Sequence, residues 1–172
     1  MVSDAAPVTA PRAVNSLRRL DATGLPLLAA RLIVGLCFVW MGGVKALEPL
    51  DFHKVLKTFN IFPLESYQFF NFVVIFIPWL EITLGIAVLC GVFVRSAFIV
   101  LFVMLLAFTI AIFVRGFAEQ AKLAVSYCQV AFDCGCGSGV VNVCNKLAQN
   151  VGLIVASAVG IVSQSRRFCA GK

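Results

Sequence analysis

Residues 67–94 read YQFFNFVVIFIPWLEITLGIAVLCGVFV; Arg95 follows, and then residues 96–115 read SAFIVLFVMLLAFTIAIFVR. This is one apolar run broken by a single internal arginine. A helix that crosses a bilayer needs about 20 predominantly apolar residues, so the run is long enough for two spans, over 67–94 and 96–115. The joint at Arg95 is too short for anything but a tight turn, which makes the two spans antiparallel neighbours.

Working outward, residues 26–47 (PLLAARLIVGLCFVWMGGVKAL) supply an upstream span, with Pro26 suited to a first helical turn. Residues 141–163 supply the last, which borrows length from Val140 onward and puts Cys144 in its first turns. Between the first two spans, Phe52, Val55, Leu56 and Phe59 recur at steps of three and four, the pattern of an amphipathic helix at the membrane interface. The chain of 172 residues is 61% hydrophobic and 13% charged, against about 45–50% apolar content in soluble domains. These values leave little of the chain for a separate soluble domain. The expected fold is an all-α integral membrane protein, a four-transmembrane-helix bundle with a cysteine-bearing loop before the last helix. Residues 1–25 are expected to form a polar cytosolic tail, 26–164 the membrane domain and 165–172 a basic tail.

The net charge of +6 does not point to nucleic acid, because the basic residues sit at the ends of apolar runs rather than in a stripe. They belong beside a lipid bilayer. Four spans place both termini on one side, and the arginines at 12, 18, 19, 166 and 167 favour the cytosol for that side. The expected location is the inner, cytoplasmic membrane, with the cysteine loop facing the periplasm or the exterior.

That loop contains FDCGCGSG at 132–139 and carries Cys128, Cys134, Cys136 and Cys144, spaced C-x5-C-x-C-x7-C. Structural zinc sites use paired C-x2-C or added histidines, and the one histidine, His53, lies in another loop. No metal is expected. In an oxidising compartment thiols pair, as a structural bridge or as an exchangeable one. A ring closed by Cys134 and Cys136 across Gly135 alone would be small and strained, hence easily reduced. Alternatively one of the two bonds Cys128 or Cys144, leaving its neighbour to resolve a mixed disulfide. Four cysteines allow three connectivities, and spacing does not choose among them. Lys122 and Lys146 are the nearby cations that would favour the attacking thiolate.

Glu81 lies near the middle of the second span, where an ionised carboxylate costs at least about 2.5 kcal/mol. Arg31, one turn into the first span, is the partner expected for it. The pair would lock the bundle, or serve as a proton relay or a quinone contact. Pro78, three residues before Glu81, is expected to kink the helix. Gly152, Ala156 and Gly160 form a small-residue stripe that admits a close neighbouring helix.

Arg31, then Gly42-Gly43-Val44-Lys45, then Pro78-Trp79-Leu80-Glu81 with Gly91, and finally Cys134-Gly135-Cys136-Gly137 occur in this order. The set resembles the DoxX-like superfamily, in particular its methylamine-utilisation MauE branch, over roughly 27–163. The resemblance implies a four-helix membrane protein associated with disulfide formation in exported redox enzymes. It also implies kinship in fold with the core of vitamin K epoxide reductase, where cysteines beside a quinone carry electrons from protein thiols. Carried onto this chain, Cys134 and Cys136 match the cysteine motif, and Arg31, Lys45 and Glu81 the polar positions. Gly137 stands where the branch usually has phenylalanine, and Cys128 and Cys144 are additions to its pattern. The expected function is a membrane thiol–disulfide oxidoreductase or maturation factor, with a quinone or a thioredoxin-like partner as acceptor. The alternative is a non-catalytic subunit of a larger membrane redox or energy-converting complex.

Overall fold

The computed structural model describes residues 23–59, 67–133, 135 and 139–163. Of the expected tails, residues 1–22 of 1–25 and all of 165–172 lie outside the described residues, as do Cys134, Cys136 and Cys169. Helix α1 spans Leu25–Leu47, α2 Pro49–Phe59, α3 Tyr67–Cys90, α4 Val94–Leu123 and α5 Val143–Val162. A 3-10 turn, Tyr127–Gln129, and the strands β1 (Ala131–Asp133) and β2 (Val140–Asn142) lie between α4 and α5. Four of these helices, all but α2, are long and apolar enough to cross a membrane. The expected four-helix bundle is therefore the observed one.

Local chemistry sets the helix ends. α1 starts after Gly24, in the left-handed region at φ 75°, with a proline in its first turn. Pro49 opens α2 directly after Glu48 closes α1. α3 ends in a Schellman motif: Gly91, at φ 77°, donates its N–H to the Val88 carbonyl, and Val92 donates to Ala87. Only three residues, Gly91–Phe93, then separate α3 from α4, the tight turn expected at Arg95. Pro78 sits inside α3, which runs as one helix through it from Tyr67 to Cys90.

The main packing pairs are α1 with α3 and α4 with α5, closed by α1 against α5. Val34, Phe38, Phe98, Leu101, Leu105, Val88 and Leu153 form the central core. On the outside, Ile33, Leu36, Phe72, Ile75, Val103, Ile110 and Val155 are exposed. In water such a girdle would be a large unfavourable apolar patch; in lipid it is the expected surface. α2 carries a smaller cluster, Phe52 and Leu56 packed on Val73 and Val74 of α3. The amphipathic pattern thus forms a helix whose apolar side covers the bundle.

Two expectations change. α4 runs to Leu123 rather than ending near Arg115, because Glu119 pairs with Arg115 one turn back and with Lys122 one turn on. Apolar length alone could not reveal a polar extension of that kind. The small-residue stripe of α5 also divides. A Cβ on Gly160 would overlap the Phe98 ring of α4, 2.3 Å from its nearest carbon, whereas one on Gly152 meets nothing within 4 Å. Gly160→Ala is therefore expected to lower stability by about 1–3 kcal/mol through overpacking. Gly152→Ala should be neutral or stabilising, by up to about 1 kcal/mol of helix propensity. Thermal unfolding of the two variants in one detergent checks the contrast.

Candidate functional site

α1 and α3 run antiparallel and close together because glycines remove the side chains between them. A Cβ on Gly35 would sit 2.6 Å from Leu89 Cγ, and one on Gly42 would sit 2.8 Å from the Pro78 carbonyl oxygen and 3.0 Å from Glu81 Cβ. This register decides the partners of the buried charges. Arg31, near the start of α1, lies beside the end of α3, not its middle. Its Nε donates to the Val88 carbonyl at 2.8 Å and its terminal nitrogen to the Leu89 carbonyl at 2.8 Å. Those carbonyls belong to the last turn of α3, which has no intrahelical donors left and carries the negative end of the helix dipole.

The expected Arg31–Glu81 pair is thus replaced. The partner of Glu81 is Lys45, whose Nζ donates to Oε1 at 2.6 Å and to Oε2 at 2.8 Å. Both are buried, at 5% and 1% exposure. Fourteen residues separate Arg31 from Lys45, about 21 Å along a helix, so α1 grips α3 at two well-separated points. The Lys45 ammonium also lies 4.8 Å from the centre of the Phe108 ring and 5.3 Å from that of Phe52. Such faces stabilise a desolvated cation.

Sequence reading missed the polar groups that α5 adds. Lys146, Asn150 and Ser157 are buried at 4%, 3% and 0% exposure. Lys146 donates to Gln149 Oε1 at 2.9 Å and Asn150 to Thr109 Oγ1 at 3.1 Å. The spacing 146, 150, 157 is helical and was the available signal. Lys146 also lies within electrostatic reach of Lys45 and Glu81. The cluster therefore holds two lysines and one glutamate.

The cysteine segment is built at the same end of the bundle. Tyr127 packs on the face of α4 left open by Gly116 and donates its hydroxyl to the Phe113 carbonyl at 3.2 Å. Burial pushes its pKa up, in keeping with a neutral donor. Val130 and Val143 join Ile112 in a sealed apolar cluster. From there β1 and β2 pair antiparallel, Ala131 with Asn142, Phe132 with Val141 and Asp133 with Val140. This hairpin was not anticipated, because three-residue strands are too short to give a period.

Cys128 and Cys144 form a disulfide across the base of the hairpin, with their Cα atoms 5.0 Å apart. They bond each other, not either member of the C-x-C pair, which corrects one expected pairing. Lys122 is engaged by Glu119 and Lys146 is held inside the bundle, so neither is a free cation beside the loop. Between Cys134 and Cys136, Gly135 adopts φ +68° and accepts no larger residue there. Its N–H is held by Asp133 Oδ1 at 2.8 Å, and a Cβ on it would lie 3.0 Å from Val55 Cγ1 and 3.3 Å from Phe52 Cδ2. Phe52 thus touches the hairpin on one side and Lys45 on the other. Among the described residues no group of three or more histidine, cysteine, aspartate or glutamate side chains could hold a metal.

No curated protein and no solved structure matches the chain. The family model described as methylamine utilisation protein MauE matches residues 23–163. That range takes in the four long helices, both grips of α1 on α3 and the whole hairpin, and on it the chain belongs to the MauE family.

Proposed function

We propose that this membrane protein is a thiol–disulfide oxidoreductase or maturation factor for exported redox proteins, with Cys134 and Cys136 as its exchanging pair. The observation that carries the reading is the Cys128–Cys144 disulfide. It accounts for two of the four segment cysteines as a fastening, and of the three connectivities it leaves the one that pairs Cys134 with Cys136. The left-handed backbone at Gly135 and Gly139 suits a turn that brings main chain close to a partner.

The reaction balances as a dithiol–disulfide exchange. A client thiolate attacks one sulfur of the Cys134–Cys136 disulfide and forms a mixed disulfide; the client's second thiolate then attacks that bond. The client leaves oxidised and the chain is left with a dithiol. Two electrons and two protons then pass to an acceptor, a quinone or the disulfide of a thioredoxin-like protein. In this reading the membrane is the cytoplasmic one, with the hairpin on its outer face and the termini in the cytosol.

The one thiol left in a Cys136→Ser or Cys134→Ser variant attacks the disulfide of an oxidised client, and acid quenching with alkylation is expected to trap the resulting mixed disulfide as a reductant-sensitive band. Failure of both to trap any client, with the client's redox state unchanged on deletion of the chain, would sink the proposal. A second reading, a non-catalytic accessory subunit of a larger complex, is favoured by the exposed α5 face around Gly152, where Val151 and Val155 flank an open position. Stable co-purification of another membrane subunit without thiol chemistry would select it.

A further inference from the structure

We infer that Asp133 and Val55 are positioning residues for the exchanging pair: they hold Gly135, the residue between Cys134 and Cys136, in the bend that a disulfide across one residue requires. The inference deepens the reading of that pair given above and rests on it. In an extended chain, α-carbons two residues apart stand about 7 Å from each other, outside the roughly 4.4–6.8 Å that a disulfide spans. Such a bond closes only where the backbone between its cysteines is bent. A backbone free to extend favours the dithiol instead.

Gly135 is held by two separate elements, at two different atoms. Its N–H is bonded to Asp133 Oδ1 at 2.8 Å, the Asx turn in which a side chain takes the place of a backbone acceptor. Asp133 is itself fixed, because it closes β1 opposite Val140. The α-carbon of Gly135 lies against α2, where a Cβ would come 3.0 Å from Val55 Cγ1 and 3.3 Å from Phe52 Cδ2. That helix is a firm support: Phe52 and Leu56 are buried with Val73 and Val74 of α3, and the His53 ring stands edge-on to Phe70 with 4.8 Å between centres. The φ of +68° is one that glycine adopts at little cost. Phe52 is committed to the core, whereas Val55 is half-buried and Asp133 exposed. These two can be changed without opening the bundle.

The test places the whole chain in detergent with glutathione buffers of graded ratio, read by acid quenching, alkylation and peptide-resolved mass measurement. Opening the Cys134–Cys136 bond yields two thiols while two glutathione thiols join as one glutathione disulfide, so the equilibrium measures the bond against a fixed reference. Asp133→Ala is expected to make the bond about three- to tenfold easier to open, the worth of one hydrogen bond. Val55→Ala should move it the same way by about twofold, because a smaller side chain leaves Gly135 without its contact. Asp133→Asn should stay within about twofold of the parent protein, since its amide oxygen accepts the same N–H. The Cys128–Cys144 bond is the internal control and should stay put in all three variants; a general loosening of the hairpin would shift it too. An unchanged equilibrium in Asp133→Ala and Val55→Ala, equal shifts in both disulfides, or a Cys134–Cys136 pair that never bonds would each overturn the inference. So would a shift in Asp133→Asn as large as that in Asp133→Ala, which would assign the effect to charge. Glutathione stands in for the client, so the two claims separate: the expected shifts in a protein that traps no client would end the exchange reading and leave the positioning of Gly135 standing.

Discussion

Lys45→Met is expected to destabilise the bundle by about 3–5 kcal/mol, the largest single-residue effect in this protein, because it strands a carboxylate at 1% exposure. The cost is less the loss of attraction than the burial of a charge without a partner. Glu81→Gln should cost a similar amount in mirror image, since it leaves two buried lysines with no carboxylate between them. The double replacement Lys45→Met/Glu81→Met separates the two ideas. With both members of the pair gone neither is stranded, and Lys146 keeps its bond to Gln149, so the double variant should recover most of the stability lost by either single one. Yield of monodisperse protein and the midpoint of unfolding in mixed micelles are the readouts. A Glu81→Gln variant that assembles normally yet loses client oxidation would instead identify Glu81 as a proton carrier. Arg31 should not substitute for Lys45, since it is committed to the Val88 and Leu89 carbonyls at the far end of α1.

Cys128→Ser or Cys144→Ser is expected to cost about 3 kcal/mol, the chain-entropy value for closing a loop of this size, given a sequence separation of 16. The loss should be local in its effects. The bond ties the turn after α4 to the first turn of α5, next to the Ile112–Val130–Val143 cluster, so its removal frees the hairpin before it loosens the spans. Proteolysis between residues 124 and 142 should accelerate, while the midpoint for the helices falls by less. Cys134→Ser/Cys136→Ser should cost far less, because a bond across a single residue closes too short a loop to constrain the unfolded chain much. Client oxidation divides the two pairs in the opposite sense: it should vanish in the second variant and persist, weakened, in the first. Equal stability losses in both would mean that all four cysteines fasten the loop.

The four spans were legible because each is an apolar run near the length of a bilayer, and the turn between α3 and α4 because only Gly91–Phe93 joins them. That Glu81 is a buried charge in need of a partner was legible too, from its cost in mid-span, with Arg31 as the partner expected for it; Lys45 was legible only as a polar position that the resemblance implies. Their pairing was not. It depends on the register of α1 against α3, which is set by Gly35 and Gly42 against Leu89 and Pro78, contacts between residues far apart in sequence. Arg31 was the nearer candidate by apparent depth, whereas antiparallel packing gives the middle of α3 to Lys45. Lys146 was hidden for another reason: beside the cysteine segment it reads as a cation that favours the thiolate, and only its burial in the folded bundle shows that it turns inward. The hairpin was invisible because its strands have three residues each and its order comes from the disulfide, from Tyr127 and from the Asp133 bond to Gly135.

The central claim is that the cysteine segment holds a fastened pair and an exchanging pair. Graded reduction of the folded protein, with alkylation at each step and peptide-resolved mass measurement, tests it most directly. Cys134 and Cys136 should become labelled together at mild reducing potential while the bond between Cys128 and Cys144 persists until much stronger reduction. Release of Cys128 and Cys144 first, or resistance of all four cysteines until the protein unfolds, would contradict it.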